Sequence, residues 1–340
     1  MLPSPDLVSR IEMVSAHAMA DHSKTPDVSV IVAAQNVGPY IGAALRSALD
    51  QRDVNVEVIV VDDASSDDTA EIVAAMAATD PRVILIRRTA AGGPSIARQA
   101  AIAVASAPWL AILDGDDLIT PDRCRALLDL ADATGADVVA DNFQRFRVEG
   151  DESGATMIPR AEAPYTFFVD AASFISGNII YGRPNLDFRA VKPLFRTAFM
   201  STNAIRYRDD LPIGEDYHIC LACLQAGGRF VVTSESFYKY RVRDGSQSFR
   251  LRAEHIDQLL KAHEECGIEQ SALGSKRLTS ISHVYVRALE RARSFTQFVD
   301  QLKSHQVGKA MSSMLLTPDA WPLVIRFGFE AMAKRVRRLA

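Results

Sequence analysis

Long apolar runs are missing from this sequence. None approaches the ~18 residues that a membrane-spanning helix needs, although 48% of the 340 residues are hydrophobic. The apolar content therefore belongs to a folded core rather than to a bilayer. Residues 1–24 lack the apolar core of a signal peptide, because Asp6, Arg10, Glu12, Asp21 and His22 interrupt them. With neither span nor signal, the expected location is the cytoplasm. Cysteine is scarce: four residues fit a compartment where disulfides are rare. Cys220-x-x-Cys223 has no second pair and no histidine at zinc spacing, so it reads as two core thiols on a helix. There is no surplus of positive charge. The net charge of −4 gives no reason to expect nucleic acid as a partner. Internal repeats and low-complexity tracts are absent, and the first strand-to-helix turn lacks the G-x-G-x-x-G of dinucleotide binding.

What the sequence does have is two acidic clusters at the ends of apolar runs. Asp62-Asp63 follows Val58-Ile59-Val60-Val61, and Asp114-Gly115-Asp116-Asp117 follows Trp109-Leu110-Ala111-Ile112-Leu113. Like charges at the end of a buried strand call for a cation. A divalent metal that shares carboxylates with a ligand's phosphates meets that need. Strand signals at 28–34, 57–61, 83–87, 109–113 and 136–143 alternate with helical spacing at 40–50, 65–78, 95–105 and 121–134. Pro121 takes the first helical position, and Asp67-Asp68 a first turn, where negative charge suits the helix dipole. This alternation predicts an α/β fold, a mostly parallel central sheet flanked by helices. Such sheets bind ligands at the carboxyl ends of their strands, where both acidic clusters lie.

The alternation stops near residue 147. Residues 148–190 read as loops with short pieces, 216–225 as a helix, and 229–233 and 236–241 as short strands. From 253 the composition turns helical, over 259–265, 276–293 and 295–304. The expected organisation is a leader at 1–26 holding a loose helix over 7–20, a domain at 27–250, and a C-terminal helical extension at 251–340. The stretch 321–340 joins Trp321, Leu323, Val324, Ile325, Phe327 and Phe329 to Arg326, Lys334, Arg335, Arg337 and Arg338. It reads either as a terminal helix packed on the domain with a basic exposed end, or as an interfacial helix making peripheral contact with anionic lipid.

Three places can carry chemistry. Asp114-x-Asp116 is a carboxylate pair on a strand-to-loop turn, and Gly115 lets a ligand approach the backbone closely. The alternative is a turn whose Asp side chains cap nearby amides. Glu215-Asp216 follows Pro212-Ile213-Gly214 and opens a helix. One acid is expected to cap it, and the other to face the site as a general base. Arg241, Arg243, Ser246 and Ser248 gather cations and hydroxyls in one loop. That suits a diphosphate, or an ordinary solvated loop.

The run VSVIVAAQN…IGAALRSALDQ…EVIVVDDASSDDT…GGPSIARQAAIAVASAPWLAILDGDD, followed by GED and YKYR…GSQS, resembles the family 2 glycosyltransferases, inverting enzymes of the GT-A fold. The resemblance spans residues 27–250, with the motifs in the family's order. It implies a nucleotide-sugar half at 27–143 and an acceptor and base half at 144–250. Ala33, Gln35 and Asp63, with Asn36 beside them, fall where the family contacts the nucleobase, and Arg98 falls near the nucleotide. Asp114 and Asp116, with Gly115 between them, match the acids that hold ribose, diphosphate and Mg²⁺ or Mn²⁺. Asp216, with Glu215 beside it, matches the catalytic base. Arg241, Ser246 and Ser248 match the loop that closes over the diphosphate. Gln35 stands where an aromatic is frequent, and Gln99 and Ala101 where Asn and Gly are usual. These departures bear on base preference and packing.

The implied activity is transfer of a hexose, glucose from UDP-glucose, to a saccharide acceptor. A lipid-linked oligosaccharide of surface polysaccharide synthesis is the expected acceptor, reached at the inner face of the plasma membrane. Residues 144–200 are expected to line it, together with Asn142 and including Arg145, Tyr165, Phe167 and Phe168, with Phe167 or Phe168 in the core. Two rivals share the fold class. A nucleotide-sugar-binding scaffold would lack one of the acidic motifs. A nucleotidyltransferase-like protein would carry a basic Gly-rich loop after the first strand, where Ala34-Gln35-Asn36-Val37-Gly38 has no Lys or Arg.

Overall fold

The structure is a computed structural model that describes residues 11–14, 25–147, 149–150, 154–159, 162–182, 186–243, 251–268 and 275–326. The chain forms two compact units, Met1–Phe174 with Asn185–Asp244, and Ile175–Pro184 with Gly245–Ala340.

The first unit is built on a ten-stranded sheet. Its first half runs β1 (Ile11–Val14), β2 (Val28–Ala34), α1 (Gly38–Leu49), β3 (Val56–Asp62), α2 (Thr69–Ala77), β4 (Val83–Arg88), α3 (Pro94–Ile102), β5 (Trp109–Asp114), β6 (Leu118–Ile119), α4 (Arg123–Thr134) and β7 (Val138–Phe146). Then follow β8 (Thr166–Val169), α5 (Ala171–Gly177), a 3₁₀ turn at Phe188–Ala190, β9 (Leu194–Arg196), α6 (Thr197–Thr202), α7 (Glu215–Gln225) and β10 (Phe230–Arg241). The spatial order is β1-β4-β3-β2-β5-β9-β7-β10-β6, with β8 also on β10. β2, β3 and β5 are buried at all but one position each, the pattern of parallel strands covered on both faces. β2 pairs in parallel with β3 on one side and β5 on the other. The strand order therefore reverses there, and the carboxyl ends of β2, β3 and β5 border a crevice that such sheets use for ligands.

Asp67 sets the entry to this crevice. Its Oδ2 accepts the Gly38 amide at 2.9 Å, and its Oδ1 accepts the Thr69 amide at 3.1 Å, so one side chain caps two helix starts.

The structure departs from the sequence expectation at several points. The helix expected over 7–20 is replaced, at Ile11–Val14, by a strand pairing antiparallel with β4. The open edge of β4 offers a hydrogen-bonding ladder that loose apolar spacing could not reveal. The helix expected from Pro121 begins at Arg123, because Pro121 lies in a turn whose carbonyl accepts the Arg52 amide at 2.8 Å. The two strands expected over 229–241 are the single β10, irregular between Val232 and Tyr238, where the extra residues bulge. Phe168, a candidate for the core, is 58% exposed on β8 with the Arg229 guanidinium over its ring. The Cys220 and Cys223 thiols are free and buried on α7, as read.

A buried ion pair fixes the middle of this unit. Arg123 is 0% exposed; its Nε donates to Asp141 Oδ1 at 3.0 Å and its Nη2 donates to the Lys192 carbonyl. Asp141 Oδ2 accepts the Phe237 amide at 3.0 Å. One guanidinium thus ties α4, β7 and the chain before β9.

The second unit is helical: α8 (Ala253–Glu265), α9 (Lys276–Lys303), α10 (Val307–Leu316) and a 3₁₀ turn at Pro318–Ala320. Ser275 Oγ caps α9 by accepting the Leu278 amide at 3.1 Å. His263 Nε2 lies 2.9 Å from Ser282 Oγ, joining α8 to α9; burial pushes its imidazole down to about 4. On α10, Val307, Met311 and Leu315 recur at helical spacing and are 56%, 47% and 72% exposed. Residues 327–340, with most of the basic tail read from the sequence, lie outside the described residues.

Arg123→Met is expected to destabilise the protein by about 3–5 kcal/mol, because it strands a buried carboxylate. Arg123→Met/Asp141→Asn is expected to recover much of that loss, as read from urea midpoints at unchanged slope.

Candidate active site

At the crevice, five charged groups and a tyrosine close on one point. Arg98, on α3 and 2% exposed, sends Nη2 to Asp114 Oδ1 at 2.7 Å, and Nη1 to Glu215 Oε1 at 2.7 Å and Asp216 Oδ1 at 2.8 Å. Lys192 Nζ lies 2.8 Å from Asp114 Oδ2 and 2.6 Å from Asp216 Oδ2. The Tyr207 hydroxyl donates to Asp216 Oδ1 at 3.4 Å. Each acid is aimed by its element. Asp114 ends β5. Glu215 and Asp216 open α7, which is held down by Tyr217 stacked on Phe174 with centroids 5.7 Å apart. α3 grips the chain before α7 at two more places: Ser95 Oγ donates to the Leu211 carbonyl at 2.8 Å, and Gln99 Oε1 accepts the Tyr207 amide at 3.1 Å. Gln99, a departure from the family pattern in the sequence, is thus an anchor here.

The cluster's electrostatics follow from burial and pairing. Burial pushes the Asp114 carboxyl up, but Lys192 and Arg98 outweigh it and hold the group well below its usual value. Burial lowers Lys192, yet Asp114 and Asp216 raise it above an ordinary lysine. Burial, then the neighbouring Asp216, raises Glu215.

The rest of the acidic turn divides into two roles. Asp117 is structural: its Oδ2 accepts the Tyr238 hydroxyl at 2.7 Å and its Oδ1 the Arg241 amide at 2.6 Å. Burial, with Asp116 and Asp114 nearby, pushes Asp117 well up. Asp116 is part-buried and ion-pairs with Arg243 at 2.6 Å; burial and Asp114 raise it, partly offset by Arg243. A Cβ at Gly115 would lie 3.1 Å from Val37 Cγ2 and 3.2 Å from Ile41 Cδ1, so α1 itself makes the close approach there.

Arg241 is buried rather than solvated. Its guanidinium lies over Tyr40 at 4.9 Å and Phe146 at 4.5 Å, and Nε donates to the Asp116 carbonyl at 2.7 Å. Ser246 and Ser248 lie outside the described residues.

Across the crevice, Asp63 pairs with Arg88 and accepts the Gly92 amide at 3.0 Å and the Gly93 amide at 2.7 Å. A Cβ at Gly92 would meet the Arg88 guanidinium at 2.5 Å. Gln35 Nε2 donates to the Asp63 carbonyl at 3.0 Å, and Asn36 Oδ1 accepts the Ser66 amide at 2.8 Å. Ala33 sits on β2 opposite Asp114 of β5.

The structure therefore brings Arg98, Asp114, Glu215 and Asp216 into one cluster, with Asp116 on the same turn. Both Glu215 and Asp216 turn to Arg98, where the sequence reading assigned one to helix capping. Asn142, expected at the acceptor, is turned inward: its Nδ2 donates to the Ile158 and Ser234 carbonyls at 3.1 Å each, and its Oδ1 accepts the Ile158 amide at 2.9 Å. Sequence reasoning missed Lys192, Tyr207 and Arg88. For Lys192 a signal existed, a lone charge between apolar Val191 and Leu194-Phe195; such a lysine is seldom buried without a partner.

As for a metal, among the described residues no group of three or more His, Cys, Asp or Glu is arranged to hold one. The turn still fits a shared site. It offers hard carboxylate oxygens, and Mg²⁺-type ions take few protein ligands when phosphates supply the rest. Asp116, with one arginine partner on one carboxylate oxygen, fits better than Asp114, both of whose oxygens are engaged by cations.

Residues 29–190 match the model of glycosyl transferase family 2. The succinoglycan biosynthesis protein ExoO of Rhizobium meliloti is 38% identical over 317 residues, covering 93% of this chain and 88% of that protein. The chain belongs to glycosyl transferase family 2. Among solved structures, Staphylococcus aureus TarS residues 1–349 with UDP-GlcNAc is similar at TM-score 0.62 and 22% identity, over 77% of this chain and 72% of that one. The mannosyltransferase PcManGT of Pyrobaculum calidifontis, in complex with GDP-Man and Mn²⁺, is similar at TM-score 0.57 and 18% identity, over 98% and 87%. At such identities the likeness is one of fold, and the fold of this family 2 glycosyltransferase is the GT-A fold.

Proposed function

We propose that this glycosyltransferase moves glucose from UDP-glucose to a lipid-linked oligosaccharide in exopolysaccharide synthesis, inverting the anomeric carbon. One observation carries the reading: the Asp114 carboxylate on the donor side and the Asp216 carboxylate at the start of α7 are joined through Arg98 and Lys192. The similarity to ExoO supports the pathway class, and the TarS complex with UDP-GlcNAc supports a uridine nucleotide.

In this reading the base pocket is bordered by Ala33, Gln35, Asn36 and Asp63, and the diphosphate lies over the Asp114–Asp116 turn. Arg241, at the end of β10, borders the diphosphate, and Ser246 and Ser248, which follow it in the sequence, are assigned to the same role. Asp116, with Asp114 beside it, would hold Mg²⁺ or Mn²⁺, and the ion's chemistry when bound is to offset charge on the departing diphosphate. Asp216 takes the proton from an acceptor hydroxyl. The oxygen of that hydroxyl bonds to the anomeric carbon on one face as the bond to the diphosphate breaks on the other. Glu215 stands next to the base and shares Arg98 with it. A nucleotide-sugar-binding protein without transfer is the alternative, and the presence of both acidic motifs weighs against it.

Peripheral membrane contact is part of the proposal. The apolar face of α10, with Trp321 and Ile325 also exposed, precedes a segment whose sequence adds Lys334, Arg335, Arg337 and Arg338. That pairing of apolar surface with basic charge suits an anionic leaflet.

The deciding experiment is a screen of UDP- and GDP-sugars for hydrolysis and thermal shift, with and without Mn²⁺. UDP-glucose is expected to respond, and silence toward every nucleotide sugar would refute the assignment. Asp216→Asn is expected to abolish transfer while nucleotide-sugar affinity stays within about threefold; a parallel loss of binding would remove it as the base. Asp116→Ala is expected to erase the Mn²⁺ dependence of donor binding, measured by calorimetry. Vesicles containing phosphatidylglycerol should sediment the protein, and Leu315→Ser/Met311→Ser should weaken this; equal sedimentation with neutral vesicles would count against the anionic-lipid contact.

A further inference from the structure

Lys192 is unassigned by any motif, yet it is 7% exposed and its ammonium lies between two carboxylates. Its backbone is fixed independently of the site, because the Lys192 carbonyl accepts from the buried Arg123 guanidinium. The side chain therefore reaches the cluster from a rigid base, just before β9.

The two acids it touches are not equally dependent on it. Arg98 gives Nη2 to Asp114 alone, at 2.7 Å, but divides Nη1 between Glu215 and Asp216. Asp114 therefore keeps an undivided arginine contact without Lys192, and its backbone is held in β5. Asp216 would keep only a share of Nη1 and the longer Tyr207 bond at 3.4 Å. The lysine also sits closer to Asp216, at 2.6 Å, than to Asp114, at 2.8 Å.

We propose that Lys192 is the positioning residue for the base, fixing the Asp216 carboxylate at a set distance from the donor-side acid Asp114. This rests on the reading of Asp216 as the base. Arg98 cannot substitute, since its three bonds are committed and it is buried on α3. Lys192 acts on the orientation of Asp216 and not on the affinity of the donor.

The test separates rate from binding in the full-length protein. Lys192→Met keeps the length of the side chain and removes its charge. In this variant the kcat for transfer is expected to fall about a hundredfold, the scale of a misplaced catalytic group. The Kd for UDP-glucose with Mn²⁺, by calorimetry, is expected to stay within about threefold. Lys192→Arg, which keeps the charge and so the fold, is expected to lose about tenfold in kcat at unchanged Kd, because a forked guanidinium cannot place one donor between two oxygens. If Lys192→Met does not fold, Lys192→Arg alone decides. A weakened Kd at unchanged kcat would make Lys192 a donor-binding residue and overturn the proposal, as would full kcat in the variants. A wild type that transfers nothing from any nucleotide sugar overturns the glycosyltransfer reading and this inference together. An active wild type beside equally active variants overturns the inference alone.

Discussion

The Arg98 guanidinium, buried among three carboxylates, is the interaction on which the site depends. Its helix lies between β4 and β5, while two of its three partners begin a helix more than a hundred positions later. A buried guanidinium with fewer acids around it would be costly, and three buried acids without it would repel one another. Neither motif would keep its geometry alone. The sheet places Asp114 by its backbone, α7 places Glu215 and Asp216, and Arg98 makes the two placements one requirement.

Charge then explains the second cation. Three carboxylates around one arginine leave a surplus of negative charge in a buried place, and Lys192 removes part of it. What remains falls on Glu215, which burial and its neighbour push upward. The acidic turn solves the same problem differently. Asp117 turns inward to Tyr238 and the Arg241 amide, and Asp116 pairs with Arg243. Of the three acids on that turn, Asp116 is the one whose protein partner is an arginine near the surface. With one cation partner against two on Asp114, it has more capacity left for a different cation.

The sequence made the doubly covered sheet legible because β2, β3 and β5 are apolar over most of their length, a pattern that burial on both faces explains. The acids at their ends were legible for the same reason. Tyr207 was not, because it is a single residue in a segment without period or motif; Lys192 stood out only as a lone charge among apolar neighbours, and the partners of both arise from long-range packing. The short strands β6, β8 and β9 escaped because two to four residues give no periodicity. β10 was divided in two because its bulge interrupts the alternation. Phe168 looked like core by composition, yet on β8 it points out, and no rule of composition tells one face of a short edge strand from the other.

Asp63 carries the same lesson in another form. Read from the sequence, it is a contact for a nucleobase. In the structure its carboxylate gathers Arg88 and the Gly92 and Gly93 amides, tying the end of β3 to the loop that opens α3. α3 carries Arg98. The residue proposed to border the base pocket therefore also holds the entry of the helix that carries Arg98. Asp63 and Asp216 are thus joined by a chain of contacts that runs through the start of α3 and Arg98. In the proposed reading, donor recognition and placement of the base share α3, and Arg98 is where they meet.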